Sequence, residues 1–199
     1  MKELEGKVVL ITGAGKGSGR TLAKALAEKG AVIAANDISP INVEEAVDEI
    51  TAQGGQAKAY IEDVAKKLGA QNLIKQVEDE FGKIDILINH ASVQPRVPLL
   101  DMDEWDWHRV LDVNLTGTFL MTQSVGRVMR SQGSGVIINL MTADQGPAEN
   151  EAAFVTTMHG LIGFTRQAVQ ELNPYGIRVH MVETGEDIVE KVLALLEER

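Results

Sequence analysis

A doubly wound α/β domain, with a parallel sheet sandwiched between two layers of helices, is the fold class this sequence predicts. Three observations point to it. Apolar runs of strand length alternate with amphipathic runs of helix length along the whole chain. Those short runs are almost continuously apolar, as strands buried on both faces are. The first of them ends in a glycine-rich turn that leads straight into a helical pattern. With 199 residues the chain can bury one real core but not two, so a single domain is expected.

The elements follow in order. Val8 to Thr12 reads as a buried strand, and a helical pattern runs from the glycine turn through Lys29 to a stop at Gly30. Ala31 to Asn36 is the second strand. Ser39-Pro40 opens the next helix, with proline at the first helical position, where its missing N–H costs nothing. That helix breaks at Gly54-Gly55. Ala57 to Glu62 is a third strand, and Leu68 to Phe81 a helix ended by Gly82. Ile84 to Asn89 is the fourth strand. Asp101 and Glu104 have the spacing of a capping box that opens a long helical region to about Arg130. Val136 to Met141 is the fifth strand, Ala152 to Leu172 a helix, Ile177 to Glu183 the sixth strand, and Asp187 to Glu198 a last amphipathic helix.

Composition narrows the function classes. Acidic residues outnumber basic ones, 29 to 19, for a net charge of −10, which argues against nonspecific nucleic-acid binding. The absence of cysteine removes disulfides, thiolate catalysis and Cys-ligated zinc, and fits a reducing compartment. The charged start, Met1 to Gly6, does not resemble a signal peptide, and no apolar run approaches the roughly 20 residues of a membrane span. A cytoplasmic protein with neither nucleic acid nor membrane as partner is expected. No His, Asp or Glu spacing suggests a metal site.

Chemistry concentrates first in the turn Thr12-Gly13-Ala14-Gly15-Lys16-Gly17-Ser18-Gly19. Glycines let the backbone approach a ligand closely, and the helix that follows offers unpaired N–H groups to a pyrophosphate. Asp37 ends the second strand at about the 20-residue interval from this turn that suits a carboxylate bonded to ribose hydroxyls. Lys16 is followed by glycine rather than Ser or Thr, so this is not a nucleoside-triphosphatase phosphate loop.

The turn resembles the Thr-Gly-x-x-x-Gly-x-Gly signature of the classical short-chain dehydrogenase/reductase family, and of its 3-oxoacyl-[acyl-carrier-protein] reductase-like members in particular. Further landmarks follow in the family's order. Asp63-Val64 resembles the pair that contacts adenine, Asn89-His90-Ala91-Ser92 resembles the Asn-Asn-Ala-Gly motif, and Val113-Asn114-Leu115 matches the segment carrying the catalytic Asn. Gly160 to Phe164 matches the helix beyond the active-site pair. The resemblance implies a Rossmann-type fold with strand order 3-2-1-4-5-6. It also implies a dinucleotide site drawing on Gly13, Lys16, Gly17, Ser18, Gly19, Asp37, Asp63, Val64, Asn89 and Ala91. Asp37 favours NAD, because its carboxylate would repel a 2′-phosphate. Lys16 pulls toward NADP, and the ribose position carries more weight.

The resemblance also locates what has changed. The family transfers a proton through a Tyr and holds the nicotinamide ribose with a Lys four residues later. Anchored on Gly160 to Phe164, these positions fall on Phe154 and Met158, which carry neither hydroxyl nor charge. The Ser position falls on Thr142, or on Ala143 after a one-residue shift, and Asn114 is kept. Thr184 stands where the family has proline after the sixth strand, and the substrate loop before the last helix is missing.

His90 is the best substitute acid or base, since imidazole titrates near neutrality; His159 points about 100° away from the lost Lys position. Trp105 and Trp107 read as packing or oligomer contacts. The expectation is an NAD(H)-binding, catalytically degenerate family member acting as a sensor or noncatalytic subunit, in a homo-oligomer or with an active paralogue. Two other readings stay open: an active oxidoreductase with a noncanonical acid, and a scaffold that no longer binds nucleotide.

Overall fold

In a computed structural model, which describes residues 3–142 and 149–197, six parallel strands lie in the order β3-β2-β1-β4-β5-β6. The strands are β1 (Val8–Thr12), β2 (Val32–Asp37), β3 (Gln56–Ile61), β4 (Ile86–Asn89), β5 (Gly135–Thr142) and β6 (Ile177–Thr184). The helices are α1 (Gly17–Glu28), α2 (Pro40–Ala52), α3 (Lys67–Phe81), α4 (Glu104–Leu111), α5 (Thr118–Gln132), α6 (Ala152–Leu172) and α7 (Ile188–Glu197). Central β1 is buried at every residue and is flanked by β2 and β4, so that Leu10 lies level with Ala34 on one side and Leu87 on the other. Successive strands move outward through β2 to β3, then return to the far side of β1 at β4. That reversal leaves a crevice at the C-terminal ends of β1 and β4, the place where doubly wound sheets bind ligands.

Two cores occupy the two faces. Val9, Ile11, Ile33, Ile88 and Ile138 pack with Leu22 and Leu26 of α1 and Ile188 and Val192 of α7. Leu10, Leu87 and Ile137 pack on the other face with Leu73 of α3 and Met121 and Val125 of α5. Alternate residues along each strand therefore feed opposite cores, and both must be apolar. A smaller apolar cluster of Val110, Met141, Phe154, Met158 and Leu161 sits beside the C-terminal end of β5.

Strand limits differ from the sequence reading by a residue or two. Ser39 does cap α2, accepting the Asn42 N–H at 3.5 Å. The capping box is corrected: Asp103, not Asp101, caps α4, accepting the Asp106 N–H at 2.7 Å. The long helix is also interrupted, because Asp112–Gly117 forms a π-helical turn between α4 and α5. Thr118 Oγ1 donates to the Asn114 carbonyl there at 3.0 Å, satisfying a group that the wider turn displaces. Between β6 and α7 stand only Gly185, Glu186 and Asp187.

Asp85 locks the start of β1 to β4. Its carboxylate accepts the Val8 N–H at 2.9 Å and faces Lys7 at 3.0 Å and Lys83 at 2.8 Å. Burial pushes this carboxyl upward, but Lys83, the Val8 amide and Lys7 together outweigh it and hold its pKa below the usual value. A depressed carboxylate stabilises the fold above its unfolded pKa, and that contribution is lost as pH falls through the folded one. Asp85→Asn is expected to cost about 1–2 kcal/mol at pH 7 and to flatten the acid side of the stability profile, as read by urea unfolding at pH 7 and pH 3.

Candidate functional site

The crevice is built by the ends of β1, β2, β3 and β4. The glycine turn is held from below: the Ala14 N–H donates to the Asn36 carbonyl at 2.8 Å, and the Gly15 N–H to Asp37 Oδ2 at 3.0 Å. The other oxygen of Asp37 accepts the Ser39 N–H at 3.0 Å, so the carboxylate is fixed in direction before any ligand arrives. Side chains have no room at Gly13 and Gly19, two of the turn's four glycines. Gly13 has a φ of +66°, and a Cβ there would lie 2.9 Å from the Ala91 Cα; a Cβ on Gly19 would lie 2.4 Å from the Gly13 carbonyl oxygen. Lys16 precedes α1 without a side-chain cap, which leaves the N–H groups of the first helical turn to an outside acceptor.

Beyond β4, the Thr12 hydroxyl receives the backbone N–H groups of His90 and Ala91 at 3.0 and 3.1 Å. In return, the His90 ring bonds to the Gly13 carbonyl through Nδ1 at 3.0 Å. A carbonyl oxygen only accepts, so Nδ1 carries the proton and Nε2 is the acceptor in the neutral ring. Burial holds the His90 pKa below the usual value, partly opposed by its bond to Gly13 and by the charge of Asp37.

A cleft of about 620 Å³ opens above these groups. Gly13, Lys16, Asp37, Asp63, Val64 and Ala91 line it, together with His90. Gly17 and Ser18 form the first turn of α1, and Gly19 lies buried behind the turn. Asn89 is buried below the cleft, where its Nδ2 donates to Thr122 Oγ1 at 3.2 Å and Asn139 Oδ1 at 2.8 Å, a brace between β4, β5 and α5. Asp63 uses Oδ1 to accept the Ala65 N–H at 3.0 Å, which turns the chain out of β3.

Lys66 and Arg109 also line the cleft and were not singled out from the sequence. Of the two tryptophans expected to make packing or oligomer contacts, Trp105 is not packed within the core of the chain. It is 65% exposed, lines the cleft and lies under the Arg109 guanidinium at 5.4 Å, whereas Trp107 does pack against the small apolar cluster. Their four-residue spacing on one helix was the signal available for the Trp105–Arg109 pair.

Asn114, Thr142, Phe154 and Met158, the positions expected to correspond to the family's catalytic residues, are not among the residues lining this cleft. Phe154 and Met158 are 5% and 9% exposed within the apolar cluster. Asn114 is 2% exposed; its Oδ1 accepts the Val93 N–H at 2.8 Å. Both of its amide hydrogens are also used, on the Val93 carbonyl at 3.0 Å and Thr157 Oγ1 at 3.2 Å. Thr142 ends β5 in an exposed position level with Thr184, and Ala143 lies outside the described residues. The chain leaving β4 is tied to the start of α6 by Arg96 Nε on Glu151 Oε1 at 2.8 Å and the Val97 N–H on the Asn150 carbonyl at 2.9 Å.

A family model for short chain dehydrogenases matches residues 7–188. The chain belongs to that family. Among its short-chain dehydrogenase relatives, a 3-oxoacyl-[acyl-carrier-protein] reductase of Synechocystis is 39% identical over 188 residues, covering 93% of this chain and 76% of the relative. A metagenomic short-chain oxidoreductase solved in complex with NADP superposes with a TM-score of 0.94 at 27% identity, over 99% of this chain and 93% of that one. An NAD+-bound xylitol dehydrogenase superposes with a TM-score of 0.87 at 33% identity, over 100% of this chain and 80% of the other. Among the described residues no helix is long and apolar enough to cross a membrane.

The half-buried His90, bonded to the Gly13 carbonyl, supplies a direct check. A histidine whose folded pKa is depressed stabilises the protein above its unfolded pKa, near 6.5, and that contribution is lost as pH falls through the folded value. In an NMR titration of the four histidines, the His90 ring is expected to hold the Nδ1–H tautomer and to titrate below 6.5. His90→Asn is expected to remove that part of the acid-dependent stability.

Proposed function

We propose that this short-chain dehydrogenase binds a nicotinamide adenine dinucleotide, NAD in preference to NADP, without performing the family's hydride transfer, and serves as a sensor or a noncatalytic subunit. One observation carries the reading: apolar side chains occupy the proton-donor and ribose-holding positions and are packed into a cluster. A bound dinucleotide would supply a hydride-accepting or hydride-donating nicotinamide. The protein must add a proton donor beside it, and neither Phe154 nor Met158 has a proton to give. Asn114 spends its amide hydrogens on Val93 and Thr157, which leaves it a brace rather than part of a proton path.

The adenosine end supports binding. The anchored Asp37 carboxylate suits free ribose hydroxyls and opposes a 2′-phosphate, while the glycine turn, Lys16 and the open end of α1 suit a diphosphate. The tight β6-to-α7 link leaves the family's substrate loop no room at that point of the chain, which removes both a pocket wall and the closure that hydride chemistry uses. Oligomerisation is proposed through α5 and α6. Phe119 on α5 is 41% exposed, makes an edge-to-face contact with Phe164 at 6.2 Å and borders a groove of about 390 Å³ between the two helices.

Calorimetric titration with NAD, NADH, NADP and NADPH tests the binding. NAD(H) is expected to bind about tenfold or more tightly than NADP(H), and Asp37→Ser to narrow the gap. No turnover of carbonyl or alcohol substrates is expected from the native chain, whereas Phe154→Tyr with Met158→Lys is expected to restore measurable turnover, general-acid catalysis being worth about 10²–10⁴-fold. Native turnover abolished by His90→Ala would favour an oxidoreductase with a noncanonical acid. No binding to any of the four would leave a scaffold.

A further inference from the structure

The two ends of a dinucleotide are served unequally here. For an adenosine diphosphate, an anchored carboxylate, a close glycine turn and positive charge are in place along the cleft. Asp37 is held by the Gly15 and Ser39 N–H groups, each at 3.0 Å. Gly13 and Gly19 bring the turn close to His90. Lys16 and Lys66 put positive charge along the cleft, and Val64, Trp105 and the Arg109 guanidinium give it flat or apolar walls beside Asp63.

For the nicotinamide ribose, three of the four corresponding side chains, Asn114, Phe154 and Met158, are closed off, while Thr142 is exposed outside the cleft. Phe154 and Met158 are buried among Val110, Met141 and Leu161, and both hydrogens of the Asn114 amide are committed. None of Asn114, Thr142, Phe154 and Met158 is part of the cleft lining. A ribose hydroxyl placed against this apolar cluster would lose its water without gaining a partner, a net cost rather than a contribution to affinity.

The geometry points to a site for the adenosine diphosphate moiety alone: the ligand class of this chain is ADP-ribose and its relatives, and the nicotinamide end of a dinucleotide adds nothing to binding. This rests on the nucleotide-binding reading above and sharpens it. A protein that holds only this half responds to the supply of adenine nucleotides and is blind to whether the nicotinamide is oxidised or reduced.

The experiment is a calorimetric comparison of NAD+, NADH, ADP-ribose, ADP and nicotinamide mononucleotide on the full chain. NAD+, NADH and ADP-ribose are expected to agree within about threefold, with no binding of nicotinamide mononucleotide at millimolar concentration. Asp37→Ala is expected to weaken all three in parallel. Either dinucleotide binding about tenfold more tightly than ADP-ribose, or any binding of the mononucleotide, overturns the inference and leaves the nucleotide site intact. Failure of all five ligands overturns the inference together with the reading it rests on. Phe154→Tyr with Met158→Lys supplies a second arm, scored on protein that still melts cooperatively. It is expected to raise affinity for NAD+ above that for ADP-ribose; equal affinities in that variant would overturn the role given to the two apolar side chains.

Discussion

The Asp37 carboxylate accepts the Gly15 N–H through one oxygen and the Ser39 N–H through the other, both at 3.0 Å. This pair of bonds joins the glycine turn after β1, the end of β2 and the start of α2. Charge-assisted bonds of this kind are stronger than neutral ones and restrict direction. The turn cannot swing away without leaving a carboxylate short of partners, and the carboxylate cannot rotate without releasing the turn. The crevice beside β1 owes its shape to this link, and the Thr12–His90–Gly13 exchange performs the same service on the β4 side.

Beyond that crevice the polarity of the fold changes. Where the family places a tyrosine and a lysine, burial is nearly complete and the surroundings are methionine, valine and leucine. A lone ammonium placed there would face a desolvation penalty with no carboxylate to offset it, so apolar side chains suit these surroundings. The retained Asn114 fits the same account. Its three side-chain bonds secure the Val93 backbone and Thr157 beside a π-helical turn, which gives the residue a structural role.

Much of the fold was legible because its signals are local. Buried parallel strands must be apolar on both faces, and Val8 to Thr12 and Ile86 to Asn89 say so in a few residues each. Gly82 ends its helix in the left-handed conformation that favours glycine. The site was legible where it depends on backbone geometry, at Gly13 and Gly19, or on a strand terminus, at Asp37. Signals failed where two choices were locally equivalent. Asp101 and Asp103 both suit a helix start, and in the fold it is Asp103 that accepts the Asp106 N–H. A π-helical turn adds a residue within a helix without changing its amphipathic character enough to be read.

By itself, then, the sequence determined the strand and helix inventory, the position of the glycine turn, and the absence of a hydroxyl and a charge at residues 154 and 158. Those properties follow from side-chain chemistry and short-range periodicity, which need no partner elements. Tertiary structure decided which side chains share a space. It put Trp105 and Arg109 at the cleft with Lys66, turned Trp107 into the apolar cluster, and spent Asn114 on Val93 and Thr157. Such outcomes depend on contacts between residues far apart in the chain, fixed by how α4 and α6 pack over the ends of the sheet.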